Sequence, residues 1–403
     1  MSFYIPPIRA RDTQEPHRVS TTLELLFDLV YVIAVSAAAS GFYERLRVME
    51  FSGFLTFALA FFILWNAWTS FTWFGSGYDP DDVPYRISVM LQMFGSLLIA
   101  VNIHQFFDQG LMWIGVTGYA IMRLAACSQW WRVYRDLPDH RQVARRSIIG
   151  LFTLQSMWII WLFLPDYLQT PSLFVFIFLE LFMPIWARSE QLYNWHPGHI
   201  AERYGLMTII VLGEGVIGVS EIIRFYVVHS SYNAASILIS ASGLTALLFA
   251  MWWLYFKIPF AHILSTHRHR EDLPVFGYGH FFVFAAIAGL SGALKLVKDT
   301  HMIAPAQVTE SYVMATILPQ LAVFLLALSL LRAFMCKHSG SNLLAFCAAL
   351  VIIIISYIAV NASLSLTYGI WLSVLAPVIM IVIFSFDNNQ WYKKHPEFKQ
   401  PRT

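Results

Sequence analysis

Residues 196–223 read HPGHIAERYGLMTIIVLGEGVIGVSEII, and one feature of this stretch decides what kind of molecule the chain forms. From Ile200 onward it is apolar over a bilayer length, since about 20 residues of helix cross the hydrocarbon layer. Near its centre sits a carboxylate, Glu214, flanked by Gly213, Gly215 and Gly218. A charge at that depth costs about 2.5–3.5 kcal/mol on insertion scales. It therefore faces a partner or a polar path rather than lipid, which makes Glu214 the first candidate functional residue.

Composition agrees with a membrane setting. The 403 residues are 58% hydrophobic and 12% charged, and the mean hydropathy is +0.60. Soluble domains are about 45–50% apolar and about 25% charged. The 14 Trp and 18 Tyr suit interfacial belts repeated on many spans. A net charge of +2 gives no basis for a nucleic-acid partner, so the partner implied is the lipid bilayer. Cys127, Cys336 and Cys347 lie in or beside apolar segments without metal-ligand spacing and read as reduced structural thiols. Residues 1–18 lack an apolar signal-peptide core, so the first span is expected to be an uncleaved anchor.

Twelve apolar runs are long enough to cross the membrane: about 19–41, 51–74, 86–106, 110–131, 146–165, 172–187, 200–223, 234–257, 276–297, 310–333, 342–362 and 368–386. The sixth is the weakest, being short and carrying Glu180 and Pro184. With both termini inside, 20 of the 26 Lys and Arg residues fall at inside ends and 5 at outside ends, with Arg123 inside a span. Omitting one helix would scramble that bias, so the positive-inside rule supports an even count and two cytoplasmic termini. The expected location is the cytoplasmic membrane, with multiple passes.

The halves echo each other. LELLFDLVYVIAV at 23–35 opens the first and AERYGLMTIIVLG at 201–213 the second, with Glu24 aligned on Glu202. Trp65 and Trp252 then match, as do Trp68 and Tyr255, and Asp82-Val83-Pro84 matches Asp272-Leu273-Pro274. Six spans per half give both halves the same orientation, hence parallel repeats. The expected fold is an all-α polytopic membrane protein. A cytoplasmic tail (1–18) precedes two six-helix repeats (19–190 and 191–386), and a cytoplasmic tail (387–403) follows them.

On a helix Thr21, Glu24, Asp28 and Tyr31 form one polar stripe. Asp28 lies roughly 13 Å inside its span and Arg123 about 15 Å inside the fourth span. Matched depth and opposite charge predict a buried Arg123–Asp28 or Arg123–Glu24 pair. For Glu214 no arginine at its own depth is visible. It is protonated, bound to a cation, or paired with a group the sequence does not place. The glycines beside it mark either close helix packing or an interruption. His280, early in the ninth span, is placed to touch a path. His196 and His199, and His267 and His269 near His262, are conceivable metal ligands, although polar histidine loops are more often hydrated. Asp79, Asp81 and Asp82 form an acidic loop that pairs with the basic 132–146 segment, binds a divalent cation, or is hydrated.

No Walker A loop, dinucleotide fingerprint, GxSxG elbow or HExxH motif is present. That argues against an ATP-driven pump and the commonest hydrolases, and no cofactor is implied. ELLFDLVYV at 24–32, followed by HPGHIAERYGLMTIIVLGEGVIGV, resembles the low temperature requirement protein A (LtrA) family of bacterial membrane proteins. The Asp81-Asp82 loop with Arg86, the Arg123 helix and His280 are similar to that family's pattern. Where the family often has Gly-Glu-Ser, this chain has Gly213-Glu214-Gly215. The resemblance implies a membrane protein linked to growth in the cold. The leading expectation is ion or proton-coupled transport along a path bordered by Glu24, Asp28, Arg123, Glu202, Glu214 and His280. The alternatives are a membrane enzyme of lipid or isoprenoid metabolism using Asp79, Asp81 and Asp82, or an accessory protein. A homo-oligomer is compatible with the sequence.

Overall fold

The computed structural model describes residues 6–12, 15, 18–110, 112–188, 195–228, 234–266, 272–301, 308–336 and 339–394. Thirteen α-helices are assigned among them: α1 (Thr22–Arg47), α2 (Ser52–Tyr78), α3 (Val83–Gln109), α4 (Trp113–Asp136), α5 (Arg141–Trp161), α6 (Asp166–Ala187), α7 (Pro197–Val228), α8 (Ala234–Phe256), α9 (Phe260–Thr266), α10 (Asp272–Leu294), α11 (Glu310–Cys336), α12 (Ser339–Asn361) and α13 (Leu366–Lys394). Short 3-10 turns follow α4 and α10, at Pro138–His140 and Lys295–His301.

Each of the twelve expected runs falls on a long helix, and α9 is a short addition after Pro259. The sixth run begins earlier than its apolar core, so α6 has 22 residues and passes through both Pro171 and Pro184. Ten candidate spans among the described residues are long and apolar enough to cross a membrane. The two long helices outside that set are α4, with Arg123, Arg132 and Arg135, and α5, with Arg141, Arg145 and Arg146.

The helices are built outside-in. Along α3, Ile87, Met90, Leu91, Phe94 and Val101 are exposed, while Ser88, Gln92, Ser96 and Asn102 are buried. Spacings of three and four put each set on its own face. This is the pattern for a helix whose outer face meets hydrocarbon and whose polar side chains turn inward. Asp82 sets the start of α3 as its N-cap, accepting from Tyr85 N at 3.0 Å, with Pro84 in the first turn.

The chain divides into two compact units, Met1–Gly41 with Phe54–Leu206, and Phe42–Gly53 with Met207–Thr403. In the first, α3 packs on α4, α4 on α5 and α5 on α6, and Phe27 meets Phe71 with ring centroids 3.8 Å apart. In the second, α10 packs on α11, α11 on α12 and α12 on α13, and α13 returns to α8. Its core includes the fully buried Leu244, Met251, Ile287, Leu321, Leu328 and Met380.

Candidate functional site

Glu24 and Asp28 are four residues apart on α1, and His199 and Arg203 are four apart on α7. Each pair therefore projects from one helix face. The two faces meet in the first unit as two rungs. His199 Nε2 lies 3.1 Å from Glu24 Oε2, and Arg203 Nη2 donates to Asp28 Oδ1 at 2.8 Å. All four side chains are buried. Trp68 Nε1 also donates to Asp28 Oδ1 at 2.8 Å, and the backbone N–H and hydroxyl of Thr21 donate to Glu24 Oε2. A Cβ at Gly75 would stand 2.8 Å from Glu24 Oε1, so a glycine on α2 makes room for the carboxylate.

The rungs leave several buried polar atoms without a protein hydrogen-bond partner: Glu24 Oε1, Asp28 Oδ2, His199 Nδ1, Arg203 Nε and Nη1, and the hydroxyls of Tyr31 and Tyr85. Buried groups are ordinarily satisfied, so this concentration marks a polar site rather than sealed packing. The segment preceding α1 covers its end. Arg18 donates to the carbonyls of Gly75 and Ser76 at the end of α2, and Ser20 N donates to Glu202 Oε2 at 3.2 Å. Residues 6–12 are likewise laid against the first unit, with Ile8 N donating to Asp136 Oδ2 at 3.0 Å.

Arg123 does not pair with Asp28 or Glu24. Its partner is Glu180 of α6, the residue that made the sixth run look weak. Depth alone could not choose among helices, and α7 supplies the partners that Glu24 and Asp28 take, His199 and Arg203. Glu180 Oε1 also accepts from Trp158 Nε1 at 2.7 Å, and Oε2 accepts from Asn66 Nδ2 at 3.1 Å. The Arg123 guanidinium lies 4.3 Å from the Tyr119 ring centroid. Beside this pair is a cavity of about 30 Å³ lined by Asn66, Tyr119, Gln155, Trp158 and Glu180 among apolar neighbours.

In the acidic loop, Arg132 of α4 binds Asp82 through both oxygens, and Arg86 holds Asp81 with two 2.9 Å bonds. Asp81 takes a left-handed backbone, φ 47°, which Asp tolerates better than most residues. Asp79 is buried, and its Oδ1 accepts from Asp81 N at 2.8 Å. Burial, and next the charge of Glu24, push its carboxyl up to about 6. Among the described residues no three His, Cys, Asp or Glu side chains converge as a metal ligand set. His196 Nδ1 accepts from His199 N; His267 and His269 lie outside the described residues.

In the second unit Glu214 has the partner that the sequence did not place: Lys295 Nζ donates to Glu214 Oε1 at 3.1 Å. Lys295 follows α10, near the end of the ninth run, and its long stem carries the charge inward. α7 is continuous through Gly213, Gly215 and Gly218, so the glycines mark no interruption. A Cβ at Gly215 would stand 2.8 Å from Leu248, whereas one at Gly213 would meet nothing within 4 Å. His280 is buried among Phe260, Phe276 and Phe284; its Nδ1 bonds Phe276 O at 2.7 Å and its Nε2 lies 3.1 Å from the Tyr255 hydroxyl. A carbonyl only accepts, so Nδ1 carries hydrogen and, in the neutral ring, Tyr255 donates to Nε2.

Sequence reading missed the roles of His199, Arg203, Glu180 and Lys295. The signal for the first two was present: a base pair spaced i, i+4 on one aligned helix matches an acid pair spaced i, i+4 on the other.

These features define a polytopic helical membrane protein whose charged groups are turned into its helical units. The model of the bacterial low temperature requirement A protein (LtrA) family matches residues 19–384, and the chain belongs to that family. It is also similar to an uncharacterized protein of Rhizobium meliloti (strain 1021), 25% identical over 247 residues, which are 58% of this chain and 57% of that protein. No solved structure matches the chain.

Proposed function

We propose that the protein is a multi-pass transporter or channel of the bacterial cytoplasmic membrane. It moves protons or small ions and serves growth at low temperature. The observation that carries this reading is the double rung Glu24–His199 and Asp28–Arg203, buried yet retaining oxygens and nitrogens that no protein group engages. Ion pairs kept for packing alone are stable only when their remaining hydrogen-bonding capacity is met. Here a carboxylate oxygen and an imidazole nitrogen stand ready to exchange a proton or bind an ion. Glu202, at the N-terminal end of α7, borders the entrance.

A twofold parallel repeat with both termini cytoplasmic fits this reading. Asp82-Val83-Pro84 and Asp272-Leu273-Pro274 each open a helix, α3 and α10, and the helices that follow pack in the same sequential order.

Purified protein in liposomes tests the proposal through fluxes of H⁺, K⁺ and Na⁺. At least one should exceed that of empty liposomes and fall in Glu24→Gln. No flux of any ion sinks the proposal; equal flux in wild type and variant removes Glu24 from the path. An accessory role draws support from Arg123–Glu180, where both Glu180 oxygens accept protein hydrogen bonds, although Arg123 Nη1 is buried without a protein hydrogen-bond partner. A lipid enzyme built on the acidic loop draws less, since Arg86 and Arg132 already engage Asp81 and Asp82.

A further inference from the structure

Seven residues of α-helix fall about 20° short of two full turns, so Glu214 and Glu221 share one face of α7. Opposite them the backbone passes from α10 into 3-10 winding at Lys295. Three residues then make a turn, and Lys295 and Lys298 eclipse. The register yields two rungs within the second unit, Lys295 on Glu214 at 3.1 Å and Lys298 on Glu221 at 3.4 Å.

The polar chain continues beyond them. Lys298 Nζ lies 5.1 Å from the Tyr43 ring centroid, and the Tyr43 hydroxyl donates to Asp299 Oδ1 at 3.3 Å. Arg47 stands 4.0 Å from Asp299 and 4.0 Å from Glu44. Side-chain exposure climbs across the two rungs, from 1% at Glu214 and 6% at Lys295 to 19% at Lys298 and 42% at Glu221, while Asp299 beyond them is 5% exposed. An ion pair that only fixes packing needs no such staircase. Around the neighbouring Gly215 position α10 brings Ser291 and α8 brings Leu248. Lys295 takes Glu214 Oε1, while Oε2 is buried without a protein hydrogen-bond partner.

We infer that this staircase is the route by which protons reach Glu214 Oε2, so that the species moved at this site is the proton rather than a metal cation. The inference rests on the transport reading above. The Lys295 ammonium already fills the place beside Glu214 that a monovalent metal ion would take. A hydronium ion in the water at the exposed end is the proton's source: its O–H bond breaks, leaving water, and an O–H bond forms at Oε2, which ends the charge pairing. Lys295 keeps its own protons, and the reverse step returns the proton to water. No electrons move.

The test uses the full chain in liposomes carrying an internal pH dye, with K⁺ and Na⁺ uptake followed in parallel. Wild type should pass protons and neither metal ion, and Glu214→Gln should lose roughly 100-fold of the proton flux. Proton flux that persists in Glu214→Gln, or K⁺ flux that disappears with Glu214, overturns the inference while leaving transport standing. Because Glu214→Gln strands a buried ammonium, Glu214→Gln/Lys295→Met removes both charges; it too must have lost proton flux, and retention overturns the proposal. Access is read separately. A membrane-impermeant maleimide should modify Lys298→Cys, located by peptide mass, and should spare Ile209→Cys on the lipid-facing side of α7. Failure to label position 298 overturns the route. Wild type that passes no ion, with position 298 still labelled, overturns the transport reading and the proton assignment with it.

Discussion

Arg203 is fully buried, and Asp28 is the carboxylate that meets it. Removing one member of a buried pair typically costs about 3–5 kcal/mol, because the other charge is left uncompensated. Asp28→Asn should therefore lower the melting temperature in detergent sharply, and Asp28→Asn/Arg203→Met should recover most of the loss. A double variant as unstable as the single one would show that Arg203 is held mainly by Trp68, Thr72 and the aromatic faces around it. Asp79 makes a prediction with the opposite sign. Its carboxyl is pushed up to about 6 by burial first and by Glu24 second, so the folded chain binds that proton more tightly than the unfolded chain. The stabilisation is fully present below the unfolded value of about 3.9 and is lost as pH rises through about 6, for a total of about 3 kcal/mol. Asp79→Asn should melt higher than wild type at about pH 7.5, with the gap closing towards about pH 4. A gap independent of pH would mean that the amide acts through new contacts.

Close helix contact explains which glycines matter. Gly95 on α3 and Gly118 on α4 face each other, and a Cβ on Gly118 would stand 2.5 Å from Gly95 O and 2.9 Å from Leu98 Cβ. A backbone oxygen cannot swing aside, so Gly118→Ala must separate the helices at a cost of about 1–3 kcal/mol. Gly213→Ala meets open space in mid-helix and should stabilise by up to about 1 kcal/mol. Thermal melts of the two variants should shift in opposite directions; equal losses would refute the packing account. The same scale shows why part of this architecture was legible beforehand. Apolar runs of bilayer length located the long helices, although the third run is expected from about 86 and α3 starts at Val83. The identity of each ion pair was hidden, because depth along a helix follows from residue spacing while the facing helix is set by tertiary packing. That is why Arg123 and Asp28 looked like partners and are not. The 3-10 segment after α10 was hidden too, since nothing local in Lys295–His301 distinguishes it from a continuing helix.

Arginines place three helix ends in common chemical circumstances within the first unit. Arg18 donates to the last carbonyls of α2, Arg141 to Tyr134 O near the end of α4, and Arg146 to Trp186 O at the end of α6. Cations are favoured there because helix C-termini carry partial negative charge and unsatisfied carbonyls. An up-and-down array predicts that the even-numbered helices end on one side, which would gather these arginines at a single membrane face, and the positive-inside rule predicts that this face is the cytoplasm. Intact cells provide the test. Ser52→Cys, beside the turn joining α1 to α2, should react with an impermeant maleimide added outside. Asp139→Cys, in the turn joining α4 to α5, should react only after the membrane is permeabilised. Reporter fusions at the two termini should both report the cytoplasm. The reverse labelling pattern would turn the arginine face outward. Labelling of both positions from outside would break the alternation of helices itself.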